Sequence, residues 1–177
     1  MIYQPAEDSY LLSKALKKEL PKLLRKNPNL TFLEIGAGSG IQLQTALYAG
    51  VKKQNIFASD INPKAVKYCR KLGFNCIESN LFEKIKRKFD LIIFNPPYLP
   101  KDKREPRDSR LSTTGGIYGG EIINKFLEQA KNHLKKDGKI FLLISSLTKK
   151  VNFKGMKNKV IAKDKLFFEE LKVLELK

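Results

Sequence analysis

The stretch Thr31-Phe32-Leu33-Glu34-Ile35-Gly36-Ala37-Gly38-Ser39-Gly40 decides the fold. Thr31–Ile35 is an apolar run of strand length. It enters a turn in which glycine alternates with small residues, and Ile41–Tyr48 then has helical character until Gly50 stops it. A buried strand that passes through a glycine turn into a helix is the opening unit of a parallel α/β sheet. The glycines permit a tight turn and let a ligand approach the backbone.

The same alternation continues outward. Asn55–Ser59 reads as a second strand ending at Asp60. Asn62 is a helix N-cap and Pro63 a first helical residue; that helix runs to Leu72, with Gly73 just past its end. Phe74–Glu78 is a third strand. Phe89–Phe94 is a fourth, apolar through its middle as a strand buried on both faces should be. Gly120–Lys136 is helical, Asp137-Gly138 ends it, and Lys139–Ser145 is a fifth strand. Upstream, Ala6–Leu20 is an amphipathic helix with Glu7 and Asp8 in its first turn and Lys17 and Lys18 in its last, closed by Pro21. Downstream, Lys159–Leu166 and Glu170–Leu176 form a hairpin. The expected class is therefore α/β, with right-handed crossovers and a C-terminal antiparallel hairpin. Lys101–Tyr118 breaks the pattern. Polar loops of that length are functional or disordered, so it is expected to close on a substrate or to be unordered when empty.

The 177 residues suit one domain, and 42% hydrophobic content supports one core. The net charge of +17 attracts polyanions or acidic protein surfaces. No apolar run reaches the ~20 residues of a membrane span. Met1–Tyr10 lacks the basic start of a secretory signal, so a cytoplasmic location is expected. Cys69 and Cys76 are too few for a disulfide scaffold and read as reduced thiols. His133 is the sole histidine, which argues against Ser-His-Asp, Cys-His and multi-histidine metal chemistry; no metal is expected.

In an open parallel sheet, ligands bind beyond the carboxyl ends of the strands. Three features meet there: the turn Glu34–Gly40, Asp60 as an acceptor for a ribose diol, and Ser79-Asn80-Leu81. The dinucleotide fingerprint would need glycine at Ile41, and no phosphate-binding G-x-x-x-x-G-K-[ST] loop exists. The observed G-x-G-x-G, with Glu34 two residues before it, resembles motif I of class I S-adenosylmethionine-dependent methyltransferases.

The reaction end is Asn95-Pro96-Pro97-Tyr98, directly after the fourth strand. A proline turn leaving a strand is the plain structural alternative. Yet this constellation suits a planar NH2 group, whose delocalised lone pair is a poor nucleophile. The Asn95 side-chain oxygen and the Pro96 carbonyl can accept its two N–H bonds and favour charge growth on nitrogen. The prolines fix the backbone, and Tyr98 offers a flat surface. The motif resembles the (N/D)-P-P-(Y/F) signature shared by adenine-N6, guanine-N2 and glutamine-N5 methyltransferases.

Tyr3-Gln4-Pro5-Ala6-Glu7-Asp8-Ser9-Tyr10-Leu11-Leu12 narrows that choice. It resembles the Y-x-P-A-E-D-(T/S)-(F/Y)-L-L opening of the archaeal and eukaryotic branch of HemK/PrmC-like glutamine methyltransferases. Asp60-Ile61-Asn62-Pro63 and the cluster Gly115-Gly116…Gly119 fit the same branch. The resemblance implies a class I methyltransferase (Rossmann-like) three-layer sandwich over residues 1–177, with a seven-stranded, mostly parallel sheet. It implies S-adenosylmethionine as methyl donor, S-adenosylhomocysteine as product, and N5 of glutamine in the GGQ loop of a class 1 translation release factor as acceptor. It also implies a small zinc-binding activator subunit at the sheet edge near Phe74–Glu78.

Carried over, Ser9, Glu34, Gly36, Ala37, Gly38, Gly40, Asp60, Ile61, Asn80, Leu81 and Asn95 line the cofactor pocket, and Asn95, Pro96, Pro97 and Tyr98 grip the amide. The family often has Asp where Asn80 stands. Glu7 and Asp8 also read as helix-dipole acids. The rival reading is a nucleic-acid amino-group methyltransferase, with contact through a basic surface such as Lys149, Lys150, Lys154, Lys157 and Lys159. A non-enzymatic RNA-binding relative is a third.

Overall fold

A computed structural model describes residues 2–102, 106 and 110–177. The chain forms, in order, α1 (Glu7–Lys26), β1 (Phe32–Ile35), α2 (Ile41–Tyr48), β2 (Ile56–Asp60), α3 (Pro63–Lys71), β3 (Asn75–Glu78), β4 (Phe89–Phe94) and β5 (Leu99–Pro100). After these come α4 (Arg110–Thr113), β6 (Thr114–Gly116), α5 (Glu121–Ala130), β7 (Leu134–Ser145), β8 (Asn158–Lys165) and β9 (Glu170–Leu176).

Seven strands make one sheet in the order β3-β2-β1-β4-β7-β9-β8. The first five are parallel neighbours, and β9 pairs antiparallel with both β7 and β8. This is the mostly parallel sheet with a C-terminal hairpin that the sequence implied. Strand order reverses between β1 and β4, which opens a crevice at their carboxyl ends.

The alternation of side chains along each strand splits the core into two layers. Leu91 and Ile93 of β4 face α1, α2 and α3, where they join Phe32, Leu12, Leu16, Leu43 and Cys69. Ile92 and Phe94 face the other way, onto Ile123, Phe126 and Leu127 of α5. A sheet between helices on both faces is the three-layer sandwich. Among the described residues, no helix is long and apolar enough to cross a membrane.

Two boundaries differ from the sequence reading. Pro21 does not close the first helix, which continues to Lys26. The apolar stripe that buries Leu16 and Leu20 continues through Leu23 and Leu24, both packed on the core. That packing outweighs the lost hydrogen bond and the kink that proline imposes. The helix expected over Gly120–Lys136 ends at Ala130, gives way to one tight turn at 131–133, and β7 begins at Leu134. Leu134 pairs with Phe89 of β4, so strand pairing overrides the helical propensity of the lysines there. The loop expected over Lys101–Tyr118 falls partly outside the described residues. Its described part holds the short helix α4 and β6, which pairs with β5.

Candidate active site

The crevice at the switch point is a cleft of about 750 Å³, of the size that takes a small molecule. Its floor is the glycine turn. Gly36, Gly38 and Gly40 have φ of 70°, 50° and 73°, a left-handed conformation that disfavours other residues. The Gly36 and Ala37 amides donate to the Ser59 carbonyl at 2.8 and 3.1 Å, which ties the turn to β2.

Asp60 fixes two loops at once. Its carboxylate accepts from the Gly38 amide through Oδ2 and from the Asn62 amide through Oδ1, each at 2.8 Å. Asn62 in turn caps α3 by accepting from the Lys64 amide at 3.0 Å. Burial pushes the Asp60 carboxyl up, and the backbone donors partly oppose it. Each oxygen keeps a further lone pair for a ligand donor.

Glu34 is 3% exposed, and its Oε2 has no hydrogen-bond partner among the described residues. Burial, then the nearby Cys69 and Asp60, pushes this carboxyl well above the usual range. An unpartnered buried carboxylate oxygen in a ligand-sized cleft fits a cationic or hydroxyl donor. Asn80 lines the cleft and donates its Nδ2 to Glu83 at 2.8 Å, which leaves its side-chain oxygen as an acceptor. Leu81 follows with φ 49°, and its carbonyl accepts from Ser79 Oγ at 3.1 Å. A diol, an amine and an ammonium therefore all find acceptors here, the donor set of an amino-acid nucleoside.

At the other end lies the Asn95–Tyr98 turn. Asn95 donates its Nδ2 to Asp8 Oδ2 at 3.0 Å, while its Oδ1 is buried without a hydrogen-bond partner among the described residues. The carboxylate holds the NH2 side and leaves the oxygen free. Asp8 is itself pinned: Tyr3 donates its hydroxyl to both carboxylate oxygens at 3.0 Å, and the Ser9 amide and hydroxyl donate to Oδ1. Pro96 and Pro97 line the cleft beside Asn95. Gly115 of β6 and Gly119, just beyond that strand, lie close against the turn. A Cβ on Gly115 or Gly119 would collide with the Pro97 or Tyr98 carbonyl.

The structure therefore gathers Ser9, Glu34, Gly36, Ala37, Gly38, Asp60, Ile61, Asn80, Leu81, Asn95, Pro96 and Pro97 around one cleft. Gly40 lies outside its lining and packs against Leu72 and Cys69. Tyr98 also lies outside it, half-buried between both core layers, with its carbonyl accepting from Thr148 Oγ1 at 3.1 Å. Burial, then the charges of Asp8 and Glu169, pushes the Tyr98 hydroxyl well up, so it stays protonated. Sequence reasoning missed Asp8 and Tyr3 as site residues. Asp8 reads as a first-turn acid, and no local pattern reports that α1 begins against the fourth strand's end.

Residues 9–166 match the model of the methyltransferase small domain family. A relative from Methanocaldococcus jannaschii, provisionally named a protein N5-glutamine methyltransferase, is 40% identical over 98% of this chain and 90% of its own. The eRF1 methyltransferase catalytic subunit of Schizosaccharomyces pombe is 31% identical over 80% of this chain and 71% of its own. Among solved structures, a 16S rRNA N2 methyltransferase of Thermus thermophilus, in complex with AdoMet and guanosine, superposes with a TM-score of 0.68 at 18% identity. That match covers 99% of this chain and 43% of the other, and it concerns the fold alone. On the family match and the full-length relative, this chain belongs to the methyltransferase small domain family, in the group of the protein N5-glutamine methyltransferases.

Proposed function

We propose that residues 1–177 act as one S-adenosylmethionine-dependent methyltransferase domain that methylates the N5 amide of glutamine in the GGQ loop of a class 1 translation release factor. The observation that carries this is the Asn95 amide, locked by Asp8 on its NH2 side, with its Oδ1 buried and without a partner among the described residues. The relatives named for glutamine and eRF1 methylation support the substrate.

The residues fit the donor. Asp60 would accept from the ribose hydroxyls, the Asn80 oxygen from the adenine amine, and Glu34 from the ammonium group, while Gly36–Gly38 and Leu81 give close backbone approach. Ser9, Ala37, Ile61 and Asn95 complete the wall. S-adenosylmethionine supplies an electrophilic methyl group at this site, leaving S-adenosylhomocysteine.

The chain's own work is done on the acceptor. The free Asn95 Oδ1 takes one amide N–H and the Pro96 carbonyl takes the other. Two fixed acceptors hold the nitrogen in line and favour the positive charge that grows on it. Proline keeps its carbonyl aimed because φ is fixed. Tyr98, half-buried between the two core layers outside the cleft lining, would act on the amide only by holding the turn that carries Asn95 and Pro96. No strong base is needed, since the charged nitrogen gives up its proton to solvent, and this suits a site without histidine.

Partners follow from the same reading. The edge strand β3 is open to pairing, and a groove beside it is lined by Val66, Arg70 and Glu78. An unpaired edge invites another chain, and it is where the small zinc-binding activator subunit implied by the family resemblance would pair; the Schizosaccharomyces pombe relative is named a catalytic subunit. The basic stretch Lys149–Lys159 suits contact with RNA near the substrate, although Lys159 is already paired with Glu175 at 3.3 Å. A release factor works in the cytoplasm, and the reading carries that location with it.

The test is a tritium-transfer assay with labelled S-adenosylmethionine. A release factor, the same factor with its loop glutamine replaced, duplex DNA and rRNA are offered side by side. Label on the first alone is the expected result. Label on DNA or rRNA with none on the release factor overturns the reading.

A further inference from the structure

The contact between α1 and α2 is apolar for most of its length: Leu12 and Leu16 meet Leu43 and Ala46 in one core layer. A buried polar cluster interrupts it at the start of both helices. Gln42 is 2% exposed, and Ser9, Ser13 and Thr45 are buried with it. The Gln42 Nε2 donates to the Ser9 carbonyl at 2.8 Å, and its Oε1 accepts from Ser13 Oγ at 2.9 Å. A carbonyl only accepts, so the amide has a single satisfied orientation. Thr45 Oγ1 donates back to the Ile41 carbonyl at 2.8 Å and lies 3.4 Å from Ser13 Oγ, which closes the cluster.

An apolar side chain would fill this space without the cost of desolvating an amide. What the hydrogen bonds add is direction. Apolar packing alone specifies position less sharply. The bonds of Gln42 are made in one register of α1 on α2, and a slip would leave buried polar groups unpaired. That register bears on the site at both ends. Gln42 follows Gly40 and Ile41, where the glycine turn passes into α2, and Ile41 lines the cleft. Ser9, held by its carbonyl, donates its amide and hydroxyl to Asp8 Oδ1, and Asp8 Oδ2 accepts from Asn95 Nδ2 at 3.0 Å. An unbroken run of contacts therefore joins the floor of the cleft to the Asn95 turn.

We infer that Gln42 is a positioning residue for methyl transfer: its side-chain amide sets the first turn of α1 against the start of α2 and so brings Asp8 to Asn95. Gln42 itself lies outside the cleft lining and acts only through Ser9 and Asp8. Without its two bonds the first turn of α1 can shift, and Asp8 then no longer fixes which end of the Asn95 amide meets the acceptor. This inference rests on the proposed role of Asn95 in holding the acceptor amide.

The test is a double-mutant cycle on kcat for a class 1 release factor, with Gln42→Met, Asp8→Ala and the pair. Met keeps the length of the side chain and removes both hydrogen bonds. Gln42→Met is expected to lower kcat about tenfold, as a displacement that starts away from the chemistry does, with KM and calorimetric cofactor affinity each kept within about threefold. On the Asp8→Ala background the same change should cost less than about twofold, because the contact it acts through is gone. A purely structural role would lower the melting temperature and reduce kcat by the same factor on both backgrounds. Equal losses on the two backgrounds, or an unchanged kcat, overturn the inference. Should Gln42→Met fail to fold, Ser13→Ala, which takes away only the donor to the Gln42 oxygen, is read in the same cycle. A kcat loss seen only where Asp8 is present supports the inference, and an unchanged kcat or equal losses overturn it. Near-wild-type turnover by Asn95→Ala overturns the parent reading, and this inference with it. Equal losses beside an Asn95→Ala variant that has lost turnover overturn this inference alone.

Discussion

Asp8 and Asn95 lie 87 residues apart in sequence and meet at 3.0 Å, the carboxylate of one accepting the side-chain amide of the other. The contact joins the first turn of α1 to the end of β4. On the proposed reading it would give the opening segment a role in the reaction, because it would decide which end of the Asn95 amide faces a substrate. Asp8 touches neither partner of the transfer in this scheme and is a positioning residue. Replacing Asp8 by Ala should lower kcat by about 10- to 100-fold, the scale of a misplaced reacting group. Cofactor affinity measured by calorimetry should stay within about threefold, because the acceptors of the cofactor pocket are untouched. Tyr3→Phe removes only one of the donors that pin Asp8 and should cost far less. Equal losses in the two variants, or a kcat unmoved in the first, would contradict the assignment.

Asn95→Ala deletes the free acceptor itself. The expected loss in kcat is about 10²- to 10³-fold, as for removal of one group that stabilises transition-state charge. The variant should still bind cofactor, since Glu34, Asp60 and Asn80 remain. Near-wild-type turnover on a release factor would show that Asn95 does not hold the amide.

Much of this was legible in the sequence. The glycine turn, the Asn62-Pro63 helix start and the buried run of β4 each impose a local backbone form, and each appears where expected. The places that failed are those where distant packing wins. Pro21 should end a helix, yet Leu23 and Leu24 find the core beyond it. The lysines at 135 and 136 read as helix, yet Leu134 pairs with β4. The same distinction runs through the site. Glu34, Asp60 and Asn95 sit at strand ends and so announce themselves. Asp8 acts through a contact made only when α1 packs on the sheet, and neither Gly40 nor Tyr98 reveals by its motif that it lies outside the cleft lining.

Asp60→Ala removes an acceptor that serves both the fold and the ligand. Cofactor affinity should fall at least about tenfold, equal to ~1.4 kcal/mol. The freed Gly38 and Asn62 amides should also lower stability by about 1–3 kcal/mol if they stay buried without partners. Calorimetry and denaturant unfolding read the two effects separately. Unchanged affinity would remove Asp60 from the cofactor pocket.

Acid should weaken the protein through Asp90 and Glu175. In both, burial raises the carboxyl, but the surrounding donors more than compensate: Lys135 and Thr31 at Asp90, and Lys139 and Lys159 at Glu175. Each is held below its ordinary range. A depressed native value means that the unfolded chain binds protons first. The stability these groups add is complete above their unfolded values, about 3.9 for Asp and 4.3 for Glu, and is lost as pH falls through the lower native ones. Denaturant midpoints should therefore drop with pH below about 4.3, and less so in Asp90→Asn and Glu175→Gln. Midpoints that fall just as far in both variants would assign the acid sensitivity to other groups.

Glu34 has the opposite sign. Burial raises its carboxyl well above the ordinary range in the ligand-free protein, so the native state binds a proton that the unfolded chain has already released. Between the ordinary Glu value, about 4.3, and the raised native one, stability therefore declines as pH rises. Glu34→Gln should make the free protein more stable than wild type at neutral pH, because it removes a buried acid and keeps its shape. The cofactor reverses the balance. A cation placed against Oε2 favours the ionised form, so binding should release a proton, and affinity should rise with pH until the raised native value is passed. Calorimetry in two buffers of different ionisation heat counts that proton. The Gln variant should bind more weakly, release none and show a flat pH dependence. The same proton count in wild type and variant would mean that Glu34 does not face the cationic end of the ligand.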